Sequence, residues 1–264
     1  MPDAKDIESF LAWRAGIHAP GKFQRWKGGM RMWLAPLLLA TMVNADNEKD
    51  AEKAFQEMSA TLAQSKSFAC TFEIKMDTPK GKGSLKGRLV VAQGNKVRIE
   101  MKGEGGDKAT DILSVSDGNK AVTVDNQIAQ PVRDTPKNLG KRVLTGTARG
   151  GIFVPTYLAV EGPPEGEKRR ENELEEILKL SDFKLGKKEK VDGKEAQAIE
   201  YVLTVASIGG EKINETVWVD AKTHLPLKRL LTAKVGDQEL KVTETYSKVV
   251  VDEKIDAQTF ELPK

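Results

Sequence analysis

Histidine and cysteine, the residues that most often serve as bases, nucleophiles and metal ligands, are almost missing from this chain of 264 residues; His18, His224 and Cys70 are all it has. A lone cysteine excludes a disulfide within the chain. With His18 in a segment expected to be removed, one histidine and one cysteine cannot build a Cys/His zinc cluster. A carboxylate-only metal site would need grouped acids, whereas Asp and Glu here mostly alternate with Lys. No G-x-S-x-G nucleophile elbow occurs, no phosphate loop ends in Gly-Lys-Ser/Thr, and no G-x-G-x-x-G opens a helix. The paired carboxylates of a glycosidase are defined by distance in space, which sequence does not give. His224, in Asp220-Ala-Lys-Thr-His-Leu-Pro226, reads as a turn residue between strands. The expectation is a protein that is not an enzyme, with no catalytic residue, metal or cofactor.

One polar pair stands out against this background. A two-residue hairpin turn at Gly236-Asp237 makes Val235 face Gln238, and counting down the ladder sets Ala233 against Leu240, Leu231 against Val242, Arg229 against Glu244 and Leu227 against Tyr246. That face is apolar except for Gln238 at the turn and the Arg229–Glu244 pair. Either the hairpin curls outward and the pair is solvated, or the face is covered and Arg229 and Glu244 are a candidate polar latch for a cover or a lipid headgroup.

The elements that position these residues are mostly strands. Ala51, Phe55, Met58 and Leu62 recur at helical spacing, giving a helix over 47–64. The period then changes to two: Phe68, Cys70, Phe72, Ile74 and Met76 alternate with Ala69, Thr71, Glu73 and Lys75. Cys70 sits in that alternation as a small apolar residue. Leu85–Gln93 and Lys96–Met101 flank Gly94-Asn95, and Ile112–Ser116 and Ala121–Asp125 flank Asp117-Gly118; both are tight hairpin signals. Residues 102–109 read as a flexible polar loop. Pro136 can open a helix with Leu139, Val143 and Leu144 on its apolar side, broken by Gly146, Gly150 and Gly151. Pro155 argues against a long helix in Ile152–Val160. A charged insert near 161–176 follows, with Glu173–Leu180 as a short helix. The second β block holds Phe183–Val191, Lys194–Ser207, Ile213–Asp220, Leu225–Val235 and Gln238–Val251. Short runs joined by hairpins predict an antiparallel meander, not βαβ units.

The N-terminus argues for export. Met30-Arg-Met-Trp precedes the apolar run Leu34–Val43, and Val43-Asn-Ala45 precedes the polar Asp46-Asn-Glu-Lys-Asp50. A basic flank, a short apolar run and a small residue before the cut are the parts of a secretory signal, and the run is too short to span a bilayer. Residues 1–45 are therefore expected to be a leader cut after Ala45, and 46–264 a single domain. Residues 1–29 are long for a basic flank, and Met1, Met30 and Met32 are all candidate starts. The chain has 42 Lys+Arg and 39 Asp+Glu; residues 1–45 hold six and three of these, which leaves 36 of each. The mature part is formally neutral and carries no nucleic-acid footprint.

Val217-Trp-Val-Asp-Ala-Lys-Thr-His-Leu-Pro-Leu-Lys-Arg229 resembles the strand–turn–strand of the LolA-like periplasmic lipoprotein-carrier superfamily (the LolA/LolB/RseB type). The ending Tyr246–Pro263, with its Phe260-Glu-Leu-Pro263 tail, is similar to that group's last strand, and an early helix followed by Ser67–Ile74 is similar to its beginning. The resemblance implies an α+β fold, mostly antiparallel β: a curved half-barrel sheet with helices packed on the concave side. It also implies a binder or carrier of lipid or lipoprotein acyl chains in the periplasm, or a secreted one. The alternative is a non-enzymatic protein-interaction or envelope-stress sensor module, with an envelope protein as partner, using the same sheet. Period-two alternation then places Phe72, Ile74, Ile99, Met101, Tyr201, Leu203, Val217 and Val219 on the concave, ligand-binding face, with Phe153 and Tyr157 of the 136–160 cover above them. Alternation leaves open whether this face holds ligand or is a dry core.

Overall fold

The structure is a computed structural model that describes residues 41–78, 81–105, 108–152, 178–205, 211–235 and 238–263. Helix α1 (Thr41–Gln64) is followed by β1 (Ser67–Thr78), β2 (Gly81–Ala92), β3 (Lys96–Gly105), β4 (Lys108–Asp117), β5 (Lys120–Asp125), β6 (Ile128–Ala129) and β7 (Arg133–Asp134). Helix α2 (Leu139–Gly150) comes next, then β8 (Leu178–Val191), β9 (Lys194–Val205), β10 (Glu211–Asp220), β11 (Pro226–Val235), β12 (Gln238–Val251) and a 3-10 turn (Ala257–Phe260). All twelve strands belong to one antiparallel sheet, in the order β6-β5-β4-β3-β2-β1-β12-β11-β10-β9-β8, with β7 beside β5. Two meanders, β1 to β6 and β8 to β12, are thus joined by pairing of the first strand with the last, Phe72 facing Tyr246 and Ile74 facing Glu244. The sheet is open and curved, as the resemblance implied.

The hairpins follow their turn chemistry. Asp192 and Gly193, between the paired Val191 and Lys194, have φ 49° and 79°, the left-handed backbone that tight two-residue turns demand. The β2–β3 turn, expected as two residues, has three, Gln93-Gly94-Asn95 between the paired Ala92 and Lys96, with φ 80° at Gly94 and 61° at Asn95. The β11–β12 register matches the counted one at Val235–Gln238, Ala233–Leu240, Leu231–Val242 and Arg229–Glu244. Four other expectations change. Residues 102–109 belong largely to strands: β3 runs to Gly105 and β4 starts at Lys108, with Gly103 opposite Thr110. A Cβ on Gly103 would lie 2.1 Å from the Ser84 carbonyl oxygen, so glycine here serves close strand approach rather than flexibility. Gly146 and Gly150 lie inside α2 and are buried, because packing and bonds at its C-terminus offset their weak propensity. Leu178–Leu180 is strand, not the end of a helix, since it pairs with Leu203–Val205 on β9. Helix α1 also starts before residue 47, so Ala45 and Asp46 both lie within it.

One face of the sheet carries both helices and the core. Phe68, Cys70, Phe72 and Ile74 of β1, Leu89 and Val91 of β2, and Val97, Ile99 and Met101 of β3 form one basin, covered by Leu139, Val143, Leu144 and Ala148 of α2. Ile199, Tyr201 and Leu203 of β9 and Ile213, Val217 and Val219 of β10 form a second, covered by Ala51, Phe55 and Met58 of α1. Leu62 of α1 reaches the first basin, while Leu231 and Ala233 of β11 touch both, so β11 is the seam. Gly87 leaves room for the Phe72 ring; a Cβ there would sit 2.5 Å from its Cζ. Asn47 Oδ1 accepts the Leu185 N–H at 2.7 Å, tying α1 to edge strand β8. On the opposite face Phe260 of the 3-10 turn packs on Ala69 and Val90.

Candidate ligand-binding face and polar clamp

The apolar face has a charged centre. Arg229, on the seam strand, is 1 % exposed, and Glu215, Glu244, Tyr201 and Tyr246 around it are each 3 % or less. Strand alternation brings them together. Glu215 of β10 lies between Ile213 and Val217 on the inward side and faces Tyr201 of β9, while Arg229 faces Val217 on one side and Glu244 on the other. Arg229 Nη1 forms an ion pair with Glu215 Oε2 at 2.7 Å and donates to the Tyr201 hydroxyl. That hydroxyl lies 2.5 Å from Glu215 Oε2 and 3.0 Å from the Arg149 carbonyl oxygen, so its single proton can serve either.

The rest of the guanidinium holds α2. Nη2 donates to the carbonyl oxygens of Thr147 and Ala148, each at 3.0 Å, and Nη1 donates to that of Arg149 at 3.1 Å. These carbonyls belong to the last turn of a helix, where four acceptors lack intrahelical partners and the dipole is negative, so a cation is the fitting cap. Glu244 grips the next step of the chain. Its Oε2 accepts the Ile152 N–H at 3.0 Å and the Tyr246 hydroxyl proton. Gly151 between these grips has φ 79° and ψ −175°, and a Cβ there would lie 2.3 Å from Glu244 Oε2.

Burial sets the protonation. It pushes the Tyr201 and Tyr246 hydroxyls well above the ordinary tyrosine value, so both remain donors. Burial also pushes the Glu215 carboxyl up from 4.5, with Arg229 pulling against it. Burial pushes the Arg229 guanidinium down, but the neighbouring Tyr201 and Glu215 outweigh it, so its value stands well above the usual arginine range and the charge is permanent. The Cys70 thiol, buried beneath the same basin, is pushed far up by desolvation and by Glu244, which makes it an inert packing group.

Of the predicted face residues, Phe72, Ile74, Ile99 and Met101 lie in the first basin and Tyr201, Leu203, Val217 and Val219 in the second, all buried. Phe153 and Tyr157 lie outside the described residues. Arg229 and Glu244 face each other as counted, on the covered side. The direct ion-pair partner of Arg229, however, is Glu215, which the sequence reading passed over although its place between Ile213 and Val217 puts it on the inward face. Tyr201, expected as an apolar lining residue, is also part of the clamp, and its ring packs on Phe55 and Phe183 at 5.0 and 5.7 Å between centroids. His224 is half-exposed at a turn with φ 54°, its Nδ1 3.4 Å from Glu57 Oε2 of α1. Among the described residues no cluster of three or more His, Cys, Asp or Glu could hold a metal, and no helix is long and apolar enough to cross a membrane. Two open grooves, of about 380 and 520 Å³, flank the 3-10 turn on the outer face and share Lys96, Ala257 and Phe260. Their rims mix lysines with acids, and neither opens onto the apolar basins.

The described residues thus form a curved antiparallel sheet whose apolar face is covered by two helices. The chain belongs to the family described as "Predicted periplasmic protein (DUF2092)", whose profile matches residues 51–264. No match is found among curated proteins. Similar solved structures include LprF from Mycobacterium bovis (12 % identity, 79 % of this chain and 96 % of that one, TM-score 0.47). MucB in the Pseudomonas aeruginosa MucA/MucB complex is similar at 15 % identity, 81 % of this chain and TM-score 0.40; this chain spans 61 % of that one's length. A LolA superfamily protein from Nitrosomonas europaea is similar at 11 % identity, 80 % and 97 % coverage and TM-score 0.33.

Proposed function

We propose that this protein is an exported periplasmic binder of a hydrophobic ligand, a lipid or a lipoprotein acyl chain, which it holds on the apolar face between the sheet and its two helices. The observation that carries this reading is how α2 is attached. A helix meant only to fill a core is best held by apolar contacts, and a buried ion pair adds little net stability over them. This one has 12 residues, three of them glycine, no side-chain cap at its start, and a final turn held by directional bonds to one arginine. Each glycine costs about 1 kcal/mol against alanine in a helix. Such a helix can leave as a unit, exposing the first basin, and return to one defined position. Arg229 and Glu244 are then the latch of that cover.

Native mass spectrometry of protein isolated from its own periplasm tests the reading, with co-purified lipid as the expected result. A fluorescent fatty acid should also be taken up, and Val217→Lys and Met101→Gln, one in each basin, should each weaken uptake at least about tenfold, the factor that about 1.4 kcal/mol represents. Because a buried lysine can unfold the domain, circular dichroism must accompany the first variant, and Met101→Gln carries the test if Val217→Lys is unfolded. Absence of both lipid and uptake in the wild type refutes the proposal. The export part is tested by N-terminal sequencing of the exported protein, which should begin at Asp46; retention of Trp33–Val43 would refute cleavage. A protein-docking role is favoured by one observation, the exposed Ile128 and Val132 at the β6 edge of the same sheet.

A further inference from the structure

Two polar atoms at the centre of the clamp are left over. An arginine has five N–H donors. Those on Nη2 of Arg229 go to the Thr147 and Ala148 carbonyl oxygens, and those on Nη1 are shared among Glu215 Oε2, the Tyr201 hydroxyl and the Arg149 carbonyl oxygen. The fifth, on Nε, is buried without a hydrogen-bond partner, and so is Glu215 Oε1. The Tyr201 proton does not reach that oxygen, being directed to Oε2 or to the Arg149 carbonyl. Arg229 is 1 % and Glu215 2 % exposed, so bulk water serves neither atom. A buried donor or acceptor left unpaired is costly, most of all on a charged group, and natural interiors rarely leave one. Here a donor and an acceptor are left together, one from each partner of the 2.7 Å contact between Nη1 and Oε2. Both residues lie on the inward face, Glu215 in the row of Ile213 and Val217, and Arg229 on the seam strand where the two basins meet.

We infer that Arg229 Nε and Glu215 Oε1 form a headgroup subsite for an uncharged polar group that both accepts and donates a hydrogen bond, the amide or hydroxyl at the head of an acyl chain. This deepens the ligand-binding reading and rests on it for the entry of the chain beneath α2. From the seam a chain can run into either basin. The pairing of the two residues sets the preference for an uncharged head. Arg229 and Glu215 already pair at 2.7 Å, so an anionic head would have to share the guanidinium with a carboxylate beside it. An ester accepts from the Nε–H but brings no proton to Oε1. An amide or an alcohol meets both atoms. A water molecule held between them would satisfy them equally, and headgroup selectivity separates the two cases.

Lauramide, lauryl alcohol and methyl laurate share one chain and differ at the head, and their displacement of the fluorescent fatty acid from the exported protein tests this. In the wild type the amide and the alcohol should each act at concentrations at least about tenfold below the ester, since a buried acceptor rejects a ligand that lacks the matching donor. On an apolar face without the subsite the order reverses, because the ester has less polar surface to desolvate. Glu215→Gln keeps the size of the side chain. With its carbonyl oxygen on Arg229, its NH2 group takes the place of Oε1 and offers a donor instead of an acceptor. The lead of the amide and the alcohol over the ester should then vanish. Equal displacement by the three probes in the wild type, or an ester that leads, overturns the inference and leaves a water between the two atoms, even if the variant fails to fold. So does a folded Glu215→Gln that keeps the wild-type order. Fatty-acid uptake with no headgroup preference removes the subsite and not the ligand-binding reading, whereas a wild type that takes up neither the fatty acid nor any of the three probes removes both.

Discussion

Arg229→Met is expected to destabilise the protein by about 3–5 kcal/mol, the usual consequence of removing one member of a buried ion pair. Methionine keeps much of the volume, so the loss is electrostatic. Glu215 remains 2 % exposed with its counter-ion gone, and three carbonyls at the end of α2 lose their donor. The pair itself contributes far less than this, since taking two charges out of water cancels most of their attraction. Arg229→Met combined with Glu215→Leu should therefore recover the part of the loss due to the stranded carboxylate, while the three carbonyls of α2 stay without their donor. Urea denaturation of the wild type, both single variants and the double variant gives the coupling. A single-variant loss under about 1 kcal/mol, the range of an exposed pair, would mean that water reaches the seam and that no clamp exists. In the double variant the fold should survive while α2 loses its anchor, so ligand exchange should be faster even where stability is partly restored.

The half of this clamp that was legible in the sequence was the half set by short-range rules. A two-residue turn and a period of two fix the β11–β12 ladder, and counting from residues 236–237 places Arg229 opposite Glu244 without any tertiary knowledge. The same alternation places Phe72, Ile74, Ile99 and Met101 on one face. Glu215 escaped because its role depends on which strands become neighbours: β10 lies beside β11, so the inward acid between Ile213 and Val217 comes within reach of an arginine 14 residues further along. The signal was present as an acid in an otherwise apolar inward row. Helix α2 was harder. Its glycines argue for a break after Val143 and Leu144, and what overrides them is a set of bonds from residues some 80 positions away. Glycine-rich 102–105 was misread for the opposite reason, since a glycine that admits a neighbouring backbone has the same composition as one that frees a loop.

Gly151→Ala should be among the most damaging of small substitutions here, with an expected loss of about 2–5 kcal/mol. Two costs combine. At φ 79° and ψ −175° the residue occupies backbone space that is nearly glycine's alone, worth about 1–3 kcal/mol of strain for any other residue. The added methyl would also meet Glu244, at 2.3 Å from Oε2, 2.8 Å from Cδ and 2.9 Å from Oε1. The carboxylate is not free to swing aside. It is 3 % exposed and accepts the Ile152 N–H and the Tyr246 hydroxyl proton, so moving it strands buried donors at about 1–3 kcal/mol. Gly193 in the β8–β9 turn supplies the control. Its φ is also 79°, but nothing lies within 4 Å of a Cβ there. Gly193→Ala should therefore cost only left-handed strain, about 1–2 kcal/mol. The difference between the two variants, read from urea midpoints at equal slope, combines the Glu244 contact with the extra strain of the ψ −175° backbone at Gly151. Equal losses would place Glu244 away from Gly151 and leave Ile152 without its grip. A larger loss at Gly151, together with faster hydrogen exchange at Thr147–Ile152 than at Val97–Met101, would locate the damage where the cover is fastened rather than in the sheet.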